Sequence, residues 1–151
     1  MTAAMPNNGL AVAIDLADPD NPKDIHPKNK QEVGRRLALV ALEQTYGKTL
    51  VSRGPTLRQA TFADDKVTIS FDHIGGGLKM VGEHLDAFAL AGEDGKWFLA
   101  QATFDEAGDK VIVRSDKVSK PAVVRYAWAD NPKASLFNAD GLPAEPFEAR
   151  R

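Results

Sequence analysis

The chain has 151 residues, 43% apolar and 26% charged, with no cysteine and a formal net charge of −2. That apolar content excludes a disordered chain, and the near balance of 19 basic against 21 acidic residues argues against binding a nucleic-acid backbone. Without cysteine there is no disulfide scaffold, no thiolate zinc site and no cysteine nucleophile. The longest apolar run, Leu37 to Leu42, is far too short to span a bilayer, and MTAAMPNNG has no basic n-region, so neither a membrane segment nor a signal peptide is expected.

In chain order, Leu10 to Leu16 (LAVAIDL) has the near-continuous apolar pattern of a strand covered on both faces in a parallel sheet. Asp18 to Asp24 cannot extend it, with two prolines and several acidic or amide residues. A helix is predicted next, from Pro27 in its first turn to a left-handed cap at Gly47. Val33, Leu37, Val40 and Ala41 repeat at helical spacing and predict its buried face, widened by Leu39, Leu42 and Tyr46. Lys28, Glu32, Arg35, Arg36 and Glu43 predict its wet face.

From about Gly54 the pattern becomes one of strands. Val67, Ile69 and Phe71 alternate with polar residues, Asp94-Gly95 marks a hairpin, and KVIVR and AVVRYAW are further strands. Roughly seven short runs bounded by turn signals predict a β-sandwich, closed by a packed tail rather than another long strand. The expected fold class is therefore α+β: a β-α stub over residues 1–53 and an antiparallel sandwich over residues 54–151.

The sharpest local feature is Asp24-Ile25-His26-Pro27 at the mouth of the helix. A histidine base needs a carboxylate on its far ring nitrogen, both to fix the tautomer and to offset a helix N-terminus that disfavours imidazolium. Asp24 is the nearest candidate, with Asp20 and Asp18 as alternatives; the competing reading is that His26 and Asp24 merely cap the helix and the turn. Asp18, Asp20 and Asp24 fail the calcium-loop spacing, having no glycine at the sixth position and Asn29 at the twelfth. Gly75-Gly76-Gly77 lacks the lysine of a phosphate loop and reads as a turn. Trp97, Tyr126 and Trp128 have the chemistry of a sugar-stacking platform, but in a sandwich with few aromatics core packing is the preferred reading. Arg125, set in an apolar strand, needs an acidic partner or holds the tail. None of Ser52, Ser70, Ser115, Ser119 and Ser135 lies in a nucleophile motif.

The run NNGLAVAIDLADPDNPKDIHPKNKQEVGRRLAL resembles the closing segment of the catalytic domain of sialate O-acetylesterases, serine hydrolases of the SGNH (GDSL-like) type. SFDHIGGGL, FALAGEDGKWFLAQA, VVRYAWADNP and SLFNADGLPAEPF are similar to the β-rich C-terminal region of the bacterial members. The likeness runs from about Asn7 to Phe147, and D-I-H-P-K-N-K-Q-E-V-G is its most specific motif. It implies that His26 is the triad base and that the serine block and most of the parallel sheet belong to a missing N-terminal catalytic part. The superfamily usually places the acid three residues before the histidine, where this chain has Lys23; Asp24 stands two before.

The implied substrate is an O-acetylated sialic acid or related sugar, with no cofactor and no metal. The parent family is often periplasmic or secreted. A second reading makes the chain a non-catalytic sandwich that binds carbohydrate or protein. The strand at Leu10–Leu16, unpaired within this chain, also predicts a homo-oligomer formed through the N-terminal stub.

Overall fold

The computed structural model describes residues 8–18, 20–21 and 23–151. Pro19 and Pro22 lie outside the described residues, as does the MTAAMPN start. The chain runs through a 3₁₀ turn (Ile14–Leu16), helix α1 (Lys30–Gln44) and ten strands. These are β1 (Thr56–Ala63), β2 (Lys66–Asp72), β3 (Leu78–Met80), β4 (Phe88–Ala91), β5 (Trp97–Leu99), β6 (Gln101–Phe104), β7 (Lys110–Arg114), β8 (Val123–Tyr126), β9 (Leu136–Asn138) and β10 (Phe147–Arg150).

All strand pairs are antiparallel. One four-stranded sheet has the order β1-β2-β7-β6, the other β10-β8-β4-β5, and β3 pairs with β9. The alternation in β2 decides its orientation: Val67, Ile69 and Phe71 point into the core at 0%, 0% and 6% exposure. They meet Val111 and Val113 of their own sheet, and Phe88, Leu90, Val124, Tyr126 and Phe147 of the other. Four aromatic rings join there, Phe71 edge-on to Phe147 at 5.9 Å, Phe147 stacked with Tyr126 at 5.8 Å and Tyr126 against Phe88 at 4.7 Å. The Tyr126 hydroxyl accepts from the Leu136 amide at 3.0 Å, and burial pushes its phenol up to about 12. The run KWFLAQATF is two strands rather than one: it crosses from the second sheet to the first at Ala100, whose N–H still bonds Phe88 at 3.0 Å.

Asn138, fully buried, ties distant parts of this sandwich together. Its Nδ2 donates to the carbonyls of Arg53 (3.1 Å) and His73 (3.0 Å), and its Oδ1 accepts from the amides of Asp140 (3.2 Å) and Leu142 (3.0 Å). Both ends of the amide are thereby satisfied.

Three expectations are corrected. The fold is not α+β but mostly β, three antiparallel sheets with a single α-helix. Leu10–Leu16 forms no strand. An extended apolar run becomes a strand only by pairing, and here it turns through Ile14–Leu16 and uses Asp15 to hold the helix; the stub-mediated strand pairing between copies loses its basis with it. The tail adds no long strand, as expected, but carries the short β9 and β10.

The third correction concerns the orientation of α1. It starts at Lys30, with the Asn29 side chain accepting from the Glu32 amide at 3.0 Å, and Gly47 at φ 62° follows its end. Its inward face is mixed: Val40 is buried as expected, but beside it the Arg36 side chain, 5% exposed, bonds Asp15 at 2.6 and 2.8 Å, Glu32 at 2.8 Å and the Val12 carbonyl at 2.7 Å. Further along, the Ser52 hydroxyl donates to Glu43. Leu37, Leu42 and Tyr46 instead face solvent at 53%, 37% and 69% exposure. The polar face is inward because the segments it meets offer a carboxylate, a carbonyl and a hydroxyl.

Candidate active site

The candidate residues sit between the 3₁₀ turn and α1. Asp24 Oδ1 accepts twice from His26, from its backbone N–H at 2.9 Å and from ring Nδ1 at 3.0 Å. The two-residue spacing makes this possible, because a carboxylate readily reaches the amide two positions on and so folds the ring back over itself. Those two interactions, the amide first, hold the Asp24 carboxyl below its ordinary range. An ionised carboxylate can only accept, so Nδ1 carries the proton of a neutral ring and Nε2 keeps its lone pair. The side chain of His26 is 77% exposed, leaving that lone pair open to an approaching hydroxyl.

The other two acids are elsewhere. Asp18 is buried, paired with Lys28 and accepting from the Asp20 amide at 3.1 Å, and the Lys28 ammonium holds its carboxyl low. Asp20 is exposed, and its described contact is that amide. Of the three carboxylates, Asp24 alone bonds the imidazole.

A cleft of about 560 Å³ opens beside the motif. Ile14, Ala17, Asp24 and Ile25 form one wall, and Asp130 and Asn131, from the loop after β8, form the other. Ile25 projects into solvent at 87% exposure. The sandwich loop is the contribution that sequence reasoning missed, because no local pattern connects residue 130 with residue 24.

Three of the five serine hydroxyls are engaged away from His26. Ser52 binds Glu43, Ser115 donates to the Leu99 carbonyl at 3.2 Å, and Ser135 accepts from the Asp86 amide at 2.7 Å. One hydroxyl–imidazole contact stands elsewhere, Thr56 Oγ1 to His73 Nδ1 at 2.8 Å. No carboxylate among the described residues is hydrogen-bonded to that ring, so it lacks the orienting acid that Asp24 gives His26.

Of the proposed platform, Tyr126 is core, whereas Trp97 is half-buried and Trp128 is 56% exposed. Arg125 meets both expectations at once, bonding Glu148 of the tail strand β10 at 2.7 Å.

No family model matches the chain. It is similar to sialate O-acetylesterase of Rattus norvegicus, 29% identical over 155 residues, 97% of this chain and 29% of the relative. It is similar also to sialate O-acetylesterase of Homo sapiens, 29% identical over 154 residues, 96% of this chain and 29% of the relative. Among solved structures, a carbohydrate acetylesterase from Xanthomonas citri superposes with a TM-score of 0.84 at 45% identity, over 92% of this chain and 32% of that one. The chain thus spans less than a third of the length of each.

Proposed function

We propose that this chain, a homologue of the sialate O-acetylesterases, supplies the base and the orienting acid of a carbohydrate O-acetylesterase. His26 is the base and Asp24 the acid; residues 1–53 form the closing segment of a serine-bearing domain, and residues 54–151 an accessory sandwich. The observation that carries the reading is the Asp24–Nδ1 contact at 3.0 Å beneath an otherwise open imidazole. The solvent-facing apolar side of α1 supports it too, since such a stripe needs a cover that the rest of a larger domain provides.

In the reaction, His26 Nε2 takes the proton of a serine hydroxyl contributed by that remainder. The serine oxygen attacks the acetyl carbonyl, and the protonated ring gives its proton to the departing sugar oxygen. Water, deprotonated by the same nitrogen, then attacks the acetyl-serine carbonyl, and the ring returns that proton to the serine oxygen as acetate leaves. Asp24 holds the tautomer and offsets the positive charge of the transient imidazolium. The substrate class is an O-acetylated sialic acid or related sugar.

The test is a graft of this chain in place of the matching stretch of the Xanthomonas citri enzyme, assayed on aryl acetate and acetylated sugars. The graft is expected to hydrolyse both, while the isolated chain turns over neither. His26→Ala should lower kcat by about 10⁶-fold and Asp24→Asn by about 10⁴-fold or less, in the order seen across serine-hydrolase mutant series. A graft whose activity survives His26→Ala defeats the proposal, and one unchanged by Asp24→Asn moves the acid elsewhere.

A further inference from the structure

The outer face of the second sheet carries a pocket of about 340 Å³ that shares no residue with the cleft beside His26. Its geometry follows from cross-strand register. Leu99, Ala89, Arg125 and Glu148 lie in one row across β5, β4, β8 and β10, and Trp97 and Ala91 lie in the next row on the same face. The small alanines of β4 leave a trough, walled by Trp97 and Leu99 on one side and by Arg125 and Trp128 on the other. Ala127 adopts φ 50° at the end of β8, bonding the carbonyl of Ala87, itself at φ 66°. Left-handed alanines are costly, and this pair turns the chain out of the sheet just before Trp128.

Arg125 lies 4.0 Å from the Trp97 ring and 5.3 Å from the Trp128 ring. Trp97 and Arg125 cover the sheet, which accounts for them structurally. Trp128, 56% exposed, and Leu99, 85% exposed, cover little and remain to be explained. The guanidinium is fixed through Nε to Glu148, and its two terminal nitrogens make no hydrogen bond with a described residue. Donors held in place beside an open indole are what a sugar ring needs: an apolar C–H face to stack and hydroxyls to receive hydrogen bonds. The ion pairs around the trough are Arg125 and Arg150 with Glu148, and Lys133 with Asp86. Glu83 also acts on Lys133, so a preference for an anionic ring rests on the two open terminal nitrogens of Arg125 rather than on the charge balance.

We propose that this trough is a carbohydrate-binding site in which a pyranose stacks on Trp128 and bonds the terminal nitrogens of Arg125, with carboxylated rings preferred over neutral ones. The site is independent of the esterase reading, because it requires neither His26 nor a serine from elsewhere.

The chain's two tryptophans both line the trough, and Trp128 is the one that does not also border the neighbouring cleft of Phe98 and Lys117, so intrinsic fluorescence read with and without Trp128 reports on this site. Titrating the isolated chain with N-acetylneuraminic acid or glucuronic acid should give a saturable change with a Kd on the order of 1 mM, and xylobiose a weaker one. Trp128→Ala should abolish the response of the remaining Trp97, with the melting temperature held as proof of fold. Arg125→Lys, which keeps the charge but loses the planar fork, should weaken binding several-fold. Absence of saturation, or binding that survives Trp128→Ala, overturns the site. Equal affinity for neutral and carboxylated rings overturns the preference. A fluorescence change that follows protein concentration without sugar identifies a second copy as the occupant and overturns the proposal.

Discussion

Replacing Arg36 by alanine should detach the N-terminal segment and α1 while leaving the sandwich folded. The guanidinium makes four hydrogen bonds, three of them to the carboxylates of Asp15 and Glu32, with its side chain 5% exposed. Glu32 keeps Arg35 at 2.7 Å when Arg36 is lost, so the stranded charge is Asp15, whose side chain is 10% exposed. Breaking a buried pair from one side costs about 3–5 kcal/mol, and one stranded carboxylate with some access to water belongs at the low end, about 3 kcal/mol. Against this, Val40, at 7% exposure, and half-buried Ile14 contribute together about 3 kcal/mol of apolar docking, with smaller shares from half-buried Val12, Val33 and Leu39. The loss offsets most of the gain, and an undocked helix of 15 residues is marginal in water. Two optical probes separate the outcomes, because both tryptophans lie in the sandwich whereas the helical signal comes from α1. Far-ultraviolet circular dichroism should lose its helical component, while the tryptophan melting transition stays within a few degrees. An unchanged helical signal, or joint collapse of both signals, would refute the reasoning.

Acid should act on the same junction. Arg35 first, then Arg36, hold Glu32 at about 2, below the ordinary carboxylate value of 4.5. A depressed folded-state value means stability that is complete above about 4.5 and lost as pH falls toward about 2. The helical signal should therefore fade over that window before the tryptophan signal does, and coincident acid transitions would contradict the assignment. A chain shortened to Val51–Arg151 should still melt cooperatively with a β-type spectrum; a non-cooperative, dye-binding species would show that α1 belongs to the same cooperative unit. Asn138→Leu should cost about 2–4 kcal/mol, because it strands the carbonyls of Arg53 and His73 and the amides of Asp140 and Leu142, and chemical denaturation would measure it.

The sandwich was legible because its signals are local. Alternation places Val67, Ile69 and Phe71 inward without reference to any other strand, and KVIVR is β7 to the residue. The contact between His26 and Asp24 was legible for the same reason, being made within three residues. What failed required a partner that lies far away in the chain. Leu10–Leu16 has the composition of a parallel strand, but composition does not supply a neighbour to pair with. The helix has two plausible inner faces, and the choice fell to Asp15 and Ser52, which favoured the charged one. Similarly, a tryptophan in an apolar run reads as core until Ala127 turns it outward.

The hydrogen bonds of Asn138 also constrain when the protein can fold. They join residue 138 to carbonyls 85 and 65 positions earlier, and β10, the last strand, completes the second sheet beside β8. During synthesis the residues up to β8 emerge with that strand lacking its outer neighbour, and with Phe71 and Tyr126 waiting for the Phe147 ring. Contacts that close such long loops are entropically costly and form late. The two sheets of the sandwich therefore close only once β10 is available, and that strand acts as their latch.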